Sequence, residues 1–297
     1  MVEIARDRRD FRLFLRSFEV GNPRVVSNFP KFSRLKKQIE SHADSVGLEG
    51  IDSTRLDELL SFLRQLPKVV RPSDADGDSW VDKVRSEGGR VAFDTVFVSD
   101  KALLEPWPSV SIDDCYQGNC PFWDFNDRVV VSKTASAIAS AIANMLRLST
   151  RIYIIDPYLG TQKDKWSTFI SVLEKAVSGR VADDLEVTVY LAPCKGITTP
   201  SEMKKHFEKT AAEQFSSIKR MQFIGLKEKR DGEQFHNRYI LTDIGGISLG
   251  AGFEDGGPSE TDDLFLLSRE QYSDRLVKYT QRGTYQKDGK ATVVFPR

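Results

Sequence analysis

The sequence predicts an α/β protein in which a mixed, largely parallel β-sheet is flanked by helices and preceded by a small N-terminal helical domain. From Arg128 onward, short apolar runs alternate with amphipathic segments, which is the pattern of strands and helices in turn. The runs at 152–155 and 187–191 are almost entirely apolar, as are central strands that are covered on both faces. Before residue 67, leucines recur at helical spacing instead. A chain of 297 residues is long enough to give each part its own core.

The N-terminal helices are predicted from apolar spacing and from capping residues. Residues 3–18 and 32–46 each carry one apolar stripe among charged side chains. A third helix is predicted to begin at Asp52 and Ser53, which can cap it, and to end at Pro67. A polar, turn-rich stretch follows and predicts a linker. We therefore expect a helical domain over 1–71, a linker with a short helix over 72–90, and an α/β domain over 91–297.

The α/β domain is predicted to alternate strands with helices. Strands are expected at 91–98, 129–131, 152–155, 185–191, 221–226, 264–267 and 292–295. Helices are expected at 134–148, 166–177, 200–218 and 269–279. The stretch 106–126 holds five aromatic residues among Pro, Gly and Asp, and is predicted to be a long loop packed by its aromatic side chains.

Bulk composition limits the classes of partner and compartment. The 43 basic and 43 acidic residues cancel, so no global field attracts the chain to nucleic acid or membrane. The N-terminus lacks the apolar core of a signal peptide and no run could span a bilayer, which predicts a cytoplasmic protein without a transmembrane segment. Cys115 and Cys120 are expected to be free thiols, with a disulfide or metal role as the alternative. With Cys194 distant, no zinc ligand set is complete, and neither a metal site nor a cofactor is predicted.

The residues best suited to chemistry lie between 234 and 254. An aromatic and β-branched run is followed by a Gly-Gly pair and a second apolar run, which predicts a strand, a tight turn and a returning strand. Two-residue periodicity then places His236 and Arg238 on one face. A neutral imidazole can attack phosphorus or transfer a proton, and a guanidinium can bind two phosphate oxygens. Asp243 at the strand end is expected to orient the imidazole or to protonate a leaving oxygen.

These residues carry a family resemblance. The spacing His-x-Arg-x4-Asp that begins at His236, followed by six residues and then Gly250, resembles the signature of the phospholipase D superfamily. In that family, His, Lys and Asp are followed at this interval by Gly-Ser-x-Asn. The differences here are Arg238 in place of Lys, Ala251 in place of Ser and Phe253 in place of Asn.

A closer likeness includes the segment 155–159, Ile-Asp-Pro-Tyr-Leu, together with His-Asn-Arg at 236–238. The combination is similar to the phospholipase D-like C-terminal domain of MIT-domain proteins, which act in membrane remodelling and abscission, and to its bacterial relatives. The likeness covers roughly residues 125–285. It implies a phospholipase D-like fold in which Asp156 and Tyr158, just past a strand end, lie beside the His motif. Gly250 and Ser248 are the other expected substrate-binding residues.

The resemblance also implies a reaction and an assembly. His236 would act as nucleophile through a phosphohistidine without a metal, with Arg238 as phosphate clamp and Asp243 as orienting group. Enzymes of this superfamily use two His motifs, whereas His42 and His206 lack a matching Arg or Lys and Asp. A complete site would therefore need a homodimer that brings two copies of His236 together across a two-fold axis.

Two functions remain open at this stage. The first is a dimeric, metal-independent nuclease or phosphodiesterase, which the bacterial relatives suggest would act in a defence-type complex. The second is a catalytically degenerate module that binds nucleic acid or a phospholipid headgroup, or that scaffolds a complex with a protein partner through its N-terminal helical domain. Residues 195–230 hold nine basic side chains against four acidic ones, either as a solvated face or as a guide for substrate. The acidic side chains between 254 and 263 are left without an assigned role.

Overall fold

The chain divides after Asn126 into an N-terminal unit, residues 1–126, and a C-terminal unit, residues 127–297. Each unit is built around its own cluster of buried apolar side chains. The computed structural model describes residues 1–16, 26–28, 31–66, 68–70, 77–90, 93, 95–98, 108–117, 127–180, 184–193, 198–230, 232–281 and 284–296.

The N-terminal unit is mainly helical. Its helices are α1 Val2–Arg6, α2 Arg8–Arg16, α3 Phe32–Ser45, α4 Gly50–Gln65, α5 Trp80–Arg90 and α6 Ile112–Gln117. Its strands are β1 Val26–Asn28, β2 Lys68–Val70, β3 Val96–Phe97 and β4 Ser109–Val110, which pair in parallel as β1 with β2 and β3 with β4. The four leucines predicted to form one face of α4 are all buried in the core of this unit, as their spacing indicates.

Two helix starts differ from the prediction. The helix expected over 3–18 is broken at Asp7, because the Asp7 carboxylate accepts the N–H groups of Arg9 at 2.7 Å and Asp10 at 3.0 Å and so caps a new helix. Helix α4 begins at Gly50 without a side-chain cap, and Asp52 forms an ion pair with Arg55 at 3.1 Å instead of capping. The expected helix end at Pro67 and the linker residues 72–76 lie outside the described residues.

The division after Asn126 lies well beyond the expected linker over 72–90. Strand β4 contributes Val110, which is fully buried among the leucines of α4. The ring of Phe97 in β3 packs edge-on against Phe14 of α2, with 5.4 Å between ring centres. These apolar contacts join β3, β4 and α6 to the helical unit, and composition alone does not reveal them.

The C-terminal unit contains the main sheet. Its helices are α7 Ala135–Ala141, α8 Ala143–Leu148, α9 Lys163–Val177, α10 Pro200–Thr210 and α11 Arg269–Thr280. Its strands are β5 Arg128–Lys133, β6 Arg151–Ile155, β7 Glu186–Leu191, β8 Arg220–Lys227, β9 Tyr239–Thr242, β10 Gly246–Leu249, β11 Gly257–Leu266 and β12 Gln286–Pro296. They form one eight-stranded sheet in the order β12-β8-β7-β6-β9-β10-β11-β5.

This sheet confirms the predicted mixed α/β class with flanking helices and N-terminal helices. The expectation of a largely parallel sheet holds only for β6, β7 and β8, which pair in parallel and are connected through α9 and α10. The other five neighbouring pairs are antiparallel. Two of them, β9–β10 and β10–β11, join consecutive strands whose short connections reverse the chain.

Both faces of the central strands are covered. In β6, Ile154 belongs to the apolar cluster with α9 and α10, whereas Ile155 belongs to the cluster that contains Tyr279 of α11. Successive side chains of a strand point to opposite faces, so helices pack on both sides of β6. The apolar runs at 152–155 and 187–191 are thus confirmed as central strands.

Some expectations fall only partly on the described residues. Within the predicted loop 106–126, residues 109–110 form β4 and 112–117 form α6, while the remaining aromatic positions lie outside the described residues. Cys115 is a free thiol, and Cys120 and Cys194 lie outside the described residues as well. None of the helices in the described ranges combines the length and apolar character needed to cross a membrane.

Candidate functional site

The pairing of β9 with β6 decides which side chains meet. The two strands are antiparallel, with Tyr239 opposite Ile155 and Thr242 opposite Ile152. Residues that precede Tyr239 therefore lie at the carboxyl end of β6, and residues that follow Thr242 lie at its amino end. Ligands of open α/β sheets bind beyond the carboxyl ends of strands. The segment just before β9 thus enters the region where a site is expected.

His236 lies outside the strand predicted for it. Strand β9 begins only at Tyr239, and residues 232–238 form neither helix nor strand. All four β9 residues are buried, since the sheet is covered on both faces here, whereas His236 is exposed. Within the described part of the chain, its side chain makes no hydrogen bond, ion pair or ring contact. The prediction that a strand places His236 and Arg238 on one face is therefore wrong.

Two anchors hold the backbone just before this exposed imidazole. The Glu233 carboxylate binds two cations of α11, Arg275 Nη1 at 2.9 Å and Lys278 Nζ at 2.9 Å. Burial alone would raise the pKa of Glu233, but these two cations lower it below its ordinary value. Phe235 is fully buried against two tyrosine rings, and its N–H donates to the carboxylate of Glu228 at 2.8 Å. The segment therefore has a defined position although it lacks regular structure.

The guanidinium of Arg238 is held by three neighbours. Its Nη1 donates to the carbonyl oxygen of Gly250 at 3.2 Å, and its Nε lies 3.9 Å from Asp156 Oδ1. Its Cζ lies 4.9 Å from the centre of the Tyr158 ring, within the range of a cation–π contact. The Arg238 side chain keeps 28% of its surface exposed. The structure thus brings together four of the predicted site residues: Arg238, Asp156, Tyr158 and Gly250.

Asp156 supports this cluster from inside the protein. It follows β6 directly and is only 1% exposed. Its Oδ1 accepts the N–H of Tyr158 at 2.8 Å, and its Oδ2 accepts the N–H of Phe253 at 3.3 Å. Burial raises the pKa of Asp156, and these N–H donors together with the Arg238 cation offset part of that effect. A carboxylate with both oxygens occupied is placed to hold Arg238 and not to face a ligand.

Gly252 is a site residue that the sequence patterns do not single out. Its φ of +75° is left-handed, a conformation that favours glycine. A Cβ at this position would collide with Cδ of Arg238 and would lie 2.8 Å from its Nε and 2.9 Å from Asp156 Oδ2. The Arg238 side chain therefore passes directly over Gly252, and there is room for it only because Gly252 has no side chain. The run Gly-Ala-Gly at 250–252 does not by itself indicate this arrangement.

A second buried carboxylate shapes the turn that carries the Gly250 carbonyl. Asp262 accepts the N–H of Ala251 at 3.1 Å and the N–H of Asp263 at 2.9 Å. A Cβ at Gly250 would lie 2.5 Å from Asp262 Oδ1, so the turn closes tightly on this carboxylate. No sequence motif singles out Asp262, which is one of several acidic residues between 254 and 263.

Two predicted site residues lie apart from this cluster. Asp243 follows β9 at the opposite end of the strand, about 16 Å from Arg238 at roughly 3.3 Å per residue. Its carboxylate accepts the N–H and hydroxyl of Thr150 at 3.0 Å and 2.6 Å, and the N–H of Arg151 at 3.2 Å. It therefore fixes the start of β6 and cannot reach the imidazole within this chain. Ser248 is half-buried opposite Tyr239 in the β9–β10 pair, and among the described residues it makes no hydrogen bond to the Arg238 cluster.

Two cations of strand β5 pair with three of the five carboxylates in the acidic segment after the hairpin. Arg128 forms two hydrogen bonds with Asp263, at 2.8 Å and 3.0 Å. Lys133 lies 3.5 Å from Glu254 and 3.2 Å from Glu260. The hydrogen bond to Glu260, followed by the nearby negative charges, raises the pKa of Lys133 above its ordinary value. These three carboxylates are thus held against the edge strand of the sheet.

The cluster offers a ligand one supported cation and, two residues earlier in the chain, one exposed imidazole. A guanidinium binds anionic oxygens through charge-assisted hydrogen bonds, and an imidazole can accept or donate a proton near neutral pH. Among the residues that the structure describes, no group of three or more His, Cys, Asp or Glu side chains is arranged to hold a metal ion.

No family model and no curated protein matches the chain. Solved structures similar to it include the archaeal chromatin protein TrmBL2, which binds DNA, at 9% identity and a TM-score of 0.29 over 52% of this chain and 51% of that one. Phosphatidylserine synthase of Haemophilus influenzae Rd KW20 matches at 10% identity and a TM-score of 0.35, over 53% and 36% of the respective chains. Polyphosphate kinase of Porphyromonas gingivalis matches at 13% identity and a TM-score of 0.32, over 75% and 34%. The matched region thus spans about half of the first protein and about a third of the other two, and these likenesses do not assign the chain to a family.

Proposed function

We propose that the C-terminal unit binds the phosphodiester group of a nucleic acid or a phospholipid headgroup, with Arg238 as the phosphate clamp and His236 beside it. The observation that carries this proposal is the way Arg238 is held. A buried carboxylate, an aromatic ring and a carbonyl oxygen all contact the guanidinium, yet more than a quarter of the side chain stays exposed. A cation that only balanced Asp156 would not need this exposed surface.

The guanidinium retains donors for a ligand. Of its five N–H bonds, one donates to Gly250 and the Nε–H faces Asp156. The remaining Nη1–H and the two Nη2–H bonds form a planar edge that matches two non-bridging oxygens of a phosphate. Because Asp156 and Tyr158 fix the plane of the group beforehand, little side-chain entropy is lost when a phosphate binds.

Direct binding with one charge-matched control tests this proposal. The ligands are a labelled six-nucleotide single strand and vesicles of phosphatidylcholine with and without phosphatidylglycerol. Both lipids contain a phosphodiester, but that of phosphatidylglycerol carries a net negative charge, whereas choline neutralises that of phosphatidylcholine. Arg238→Ala should weaken binding about 10- to 100-fold, as the loss of a charge-assisted hydrogen bond does. Arg151→Ala is the control, because it removes an exposed arginine from the other end of β6.

The two kinds of ligand separate the sources of the phosphate. An effect confined to the oligonucleotide would identify a nucleic-acid site, and an effect confined to the phosphatidylglycerol vesicles would identify a lipid site. Equal affinities of wild type, Arg238→Ala and Arg151→Ala for every ligand would refute a phosphate clamp at Arg238.

Hydrolysis by a homodimer is the second candidate function, and the exposed, unpaired imidazole of His236 favours it. In one chain, that imidazole cannot both attack phosphorus and protonate the leaving oxygen, and Asp243 is too far away to act as the acid. With two copies apposed, one imidazole would form an N–P bond while the P–O bond breaks and the partner imidazolium protonates the leaving oxygen. Water would then cleave the phosphohistidine and return a proton to the partner imidazole.

Cleavage of labelled single- and double-stranded nucleic acid in EDTA tests this second candidate. Wild type should cleave, His236→Ala should not, and sedimentation should show a dimer. Absence of cleavage by the wild type, or equal cleavage by His236→Ala, would remove the enzyme function and leave the binding proposal standing. A role in a bacterial defence-type complex and a protein partner for the N-terminal helices stay predictions.

A further inference from the structure

Helix α3 of the N-terminal unit carries a second cation-rich surface, separate from the Arg238 cluster. Six exposed polar side chains lie along one face of this helix: Arg34, Lys37, Gln38, Ser41, His42 and Ser45. Their spacing of three and four residues places them in one row along the helix. We refer to this row as the α3 stripe.

The stripe lies opposite the apolar side of α3. Phe32, Ile39 and Ala43 pack into the core of the N-terminal unit, which fixes the orientation of the helix. The two acidic residues of α3, Glu40 and Asp44, flank the stripe on the side of Lys37, and Glu40 pairs with Lys36 at 3.4 Å. In the described ranges, no acidic side chain pairs with Arg34 or Lys37.

The start of α3 adds to this positive charge. Its N-cap residue, Lys31, makes no side-chain hydrogen bond to the first turn, and that turn contains no acidic residue. The N-terminal end of a helix carries a partial positive charge, so cations placed there repel it unless an anion is nearby. Arg34 lies in this first turn, so an external anion beside it would be stabilised both by its guanidinium and by the helix end.

We propose that the α3 stripe docks onto the phosphate backbone of double-helical nucleic acid, with Arg34 and Lys37 each contacting a phosphate. The two cations and the polar groups of Gln38 and Ser41 match a regular row of phosphates in charge and in hydrogen bonding. From Arg34 to Ser45 the stripe is about 16 Å long, comparable to the width of a DNA groove and its flanking backbone.

The composition of the stripe disfavours other partners. Proteins that bind single strands stack bases on aromatic side chains, and the stripe has no aromatic residue besides the imidazole of His42. Helices that bind membranes insert apolar side chains, and the stripe has none. A duplex, whose phosphates are exposed and regularly spaced, needs neither feature.

The salt dependence of binding provides the test. The full chain carrying Arg238→Ala, which disables the other proposed site, is titrated against a labelled 20-base-pair DNA duplex at several salt concentrations. Adding Arg34→Ala and Lys37→Ala should weaken binding at least tenfold and reduce the slope of log K against log salt by about 1.8, since each phosphate contact contributes about 0.9. Lys36→Ala is the matched control: it removes the same charge from the next position of the same helix, where the ammonium already pairs with Glu40.

Several outcomes would overturn the proposal. Binding by the double variant as tight as that of its parent would contradict it, and so would a loss of affinity in Lys36→Ala equal to that in Lys37→Ala. Tighter binding to a single strand, to phosphatidylglycerol vesicles or to a polyglutamate peptide than to the duplex would contradict the assigned partner. The double variant must keep the circular dichroism spectrum of its parent, which shows that it is still folded. Arg34→Lys, which keeps the charge, should retain most of the affinity.

Discussion

Strand β9 has a carboxylate of functional interest at each end, and the two ends are built differently. At the carboxyl end of β6, Asp156 accepts two backbone N–H groups and faces the part-exposed cation of Arg238. At the amino end, Asp243 accepts the N–H and hydroxyl of Thr150 and the N–H of Arg151, with no cation in ion-pair distance among the described residues. One end therefore leaves a charge available to a ligand, and the other uses its carboxylate to join two strands.

The difference shows what a linear motif can and cannot specify. His236, Arg238 and Asp243 are close in sequence. Strand β9 runs between Arg238 and Asp243, so the two residues lie at opposite ends of that strand. Asp156 is 82 positions away from Arg238 in the sequence, and strand pairing brings it into contact. The carboxylate that contacts Arg238 is therefore Asp156, which is distant in sequence, and not Asp243, which is close in sequence.

The largest effect is expected from Asp156→Ala. This substitution leaves two buried N–H groups without an acceptor and removes the partner of Arg238. Breaking such a buried arrangement should lower the free energy of unfolding by about 3 kcal/mol. Urea denaturation measures this change, and phosphodiester binding by the remaining folded protein should also be lost. Full stability of Asp156→Ala would show that the carboxylate does not support the cluster.

Asp156→Asn separates the charge from the hydrogen bonding. Burial raises the pKa of Asp156 above its ordinary value of 3.8, so the folded state holds the proton to higher pH than the unfolded state does. The resulting stabilisation is fully present below the unfolded pKa and is lost as the pH rises through the folded pKa. The stability of wild type relative to Asp156→Asn should therefore fall as the pH is raised from about 4. If the stability of wild type relative to Asp156→Asn rose with pH instead, the Arg238 charge would outweigh the effect of burial on the pKa of Asp156.

Asp243→Ala should have the next largest effect, on stability alone. Its carboxylate satisfies the backbone at the start of β6, so its removal should lower the free energy of unfolding by about 2 kcal/mol. Affinity for a phosphodiester, corrected for the folded fraction, should not change. A specific loss of binding or cleavage with normal stability would instead restore Asp243 to the site and require a partner chain to bring it there.

Much of the fold is predictable from this sequence because apolar periodicity reflects burial directly. The runs at 152–155 and 187–191 are apolar at nearly every position, and they form strands covered on both faces. Local hydrogen bonds that compete with a pattern are harder to foresee. The apolar stripe over 3–18 continues across Asp7, but the carboxylate of that residue caps a new helix and breaks the first one.

The site is less predictable because its contacts are long-range in sequence. Arg238 and Tyr158 are individually recognisable, but they are 80 positions apart in the sequence, and only the folded chain brings them into contact. No pattern indicates that Gly252 must lack a side chain, since that requirement arises only when Arg238 crosses it. The start of β9 at Tyr239 does have a local signal, because residues 234–238 contain one Phe and no β-branched residue whereas 239–242 are Tyr-Ile-Leu-Thr.

Gly252→Ala tests that close crossing, with an expected cost of about 1–2 kcal/mol in stability. The new methyl group would push the Arg238 side chain out of its position, so phosphodiester affinity should fall about tenfold. Gly257→Ala is the matched control: its φ of +90° is also left-handed, but nothing lies within 4 Å of the added Cβ. Gly257→Ala should lower the stability through the same backbone effect but keep the phosphodiester affinity. An equal loss of affinity in both variants would indicate general strain.

The smallest effect is expected at Tyr158, whose ring lies under the Arg238 guanidinium. Tyr158→Leu removes the cation–π contact and should weaken phosphodiester binding about two- to fivefold, because such contacts at partly exposed sites contribute about 0.5–1 kcal/mol. Tyr158→Phe keeps the ring and should bind like wild type. Titration of the same oligonucleotide with both variants makes the comparison. A loss in Tyr158→Phe equal to that in Tyr158→Leu would assign the effect to the hydroxyl, which would then contact the ligand itself and not only hold the arginine.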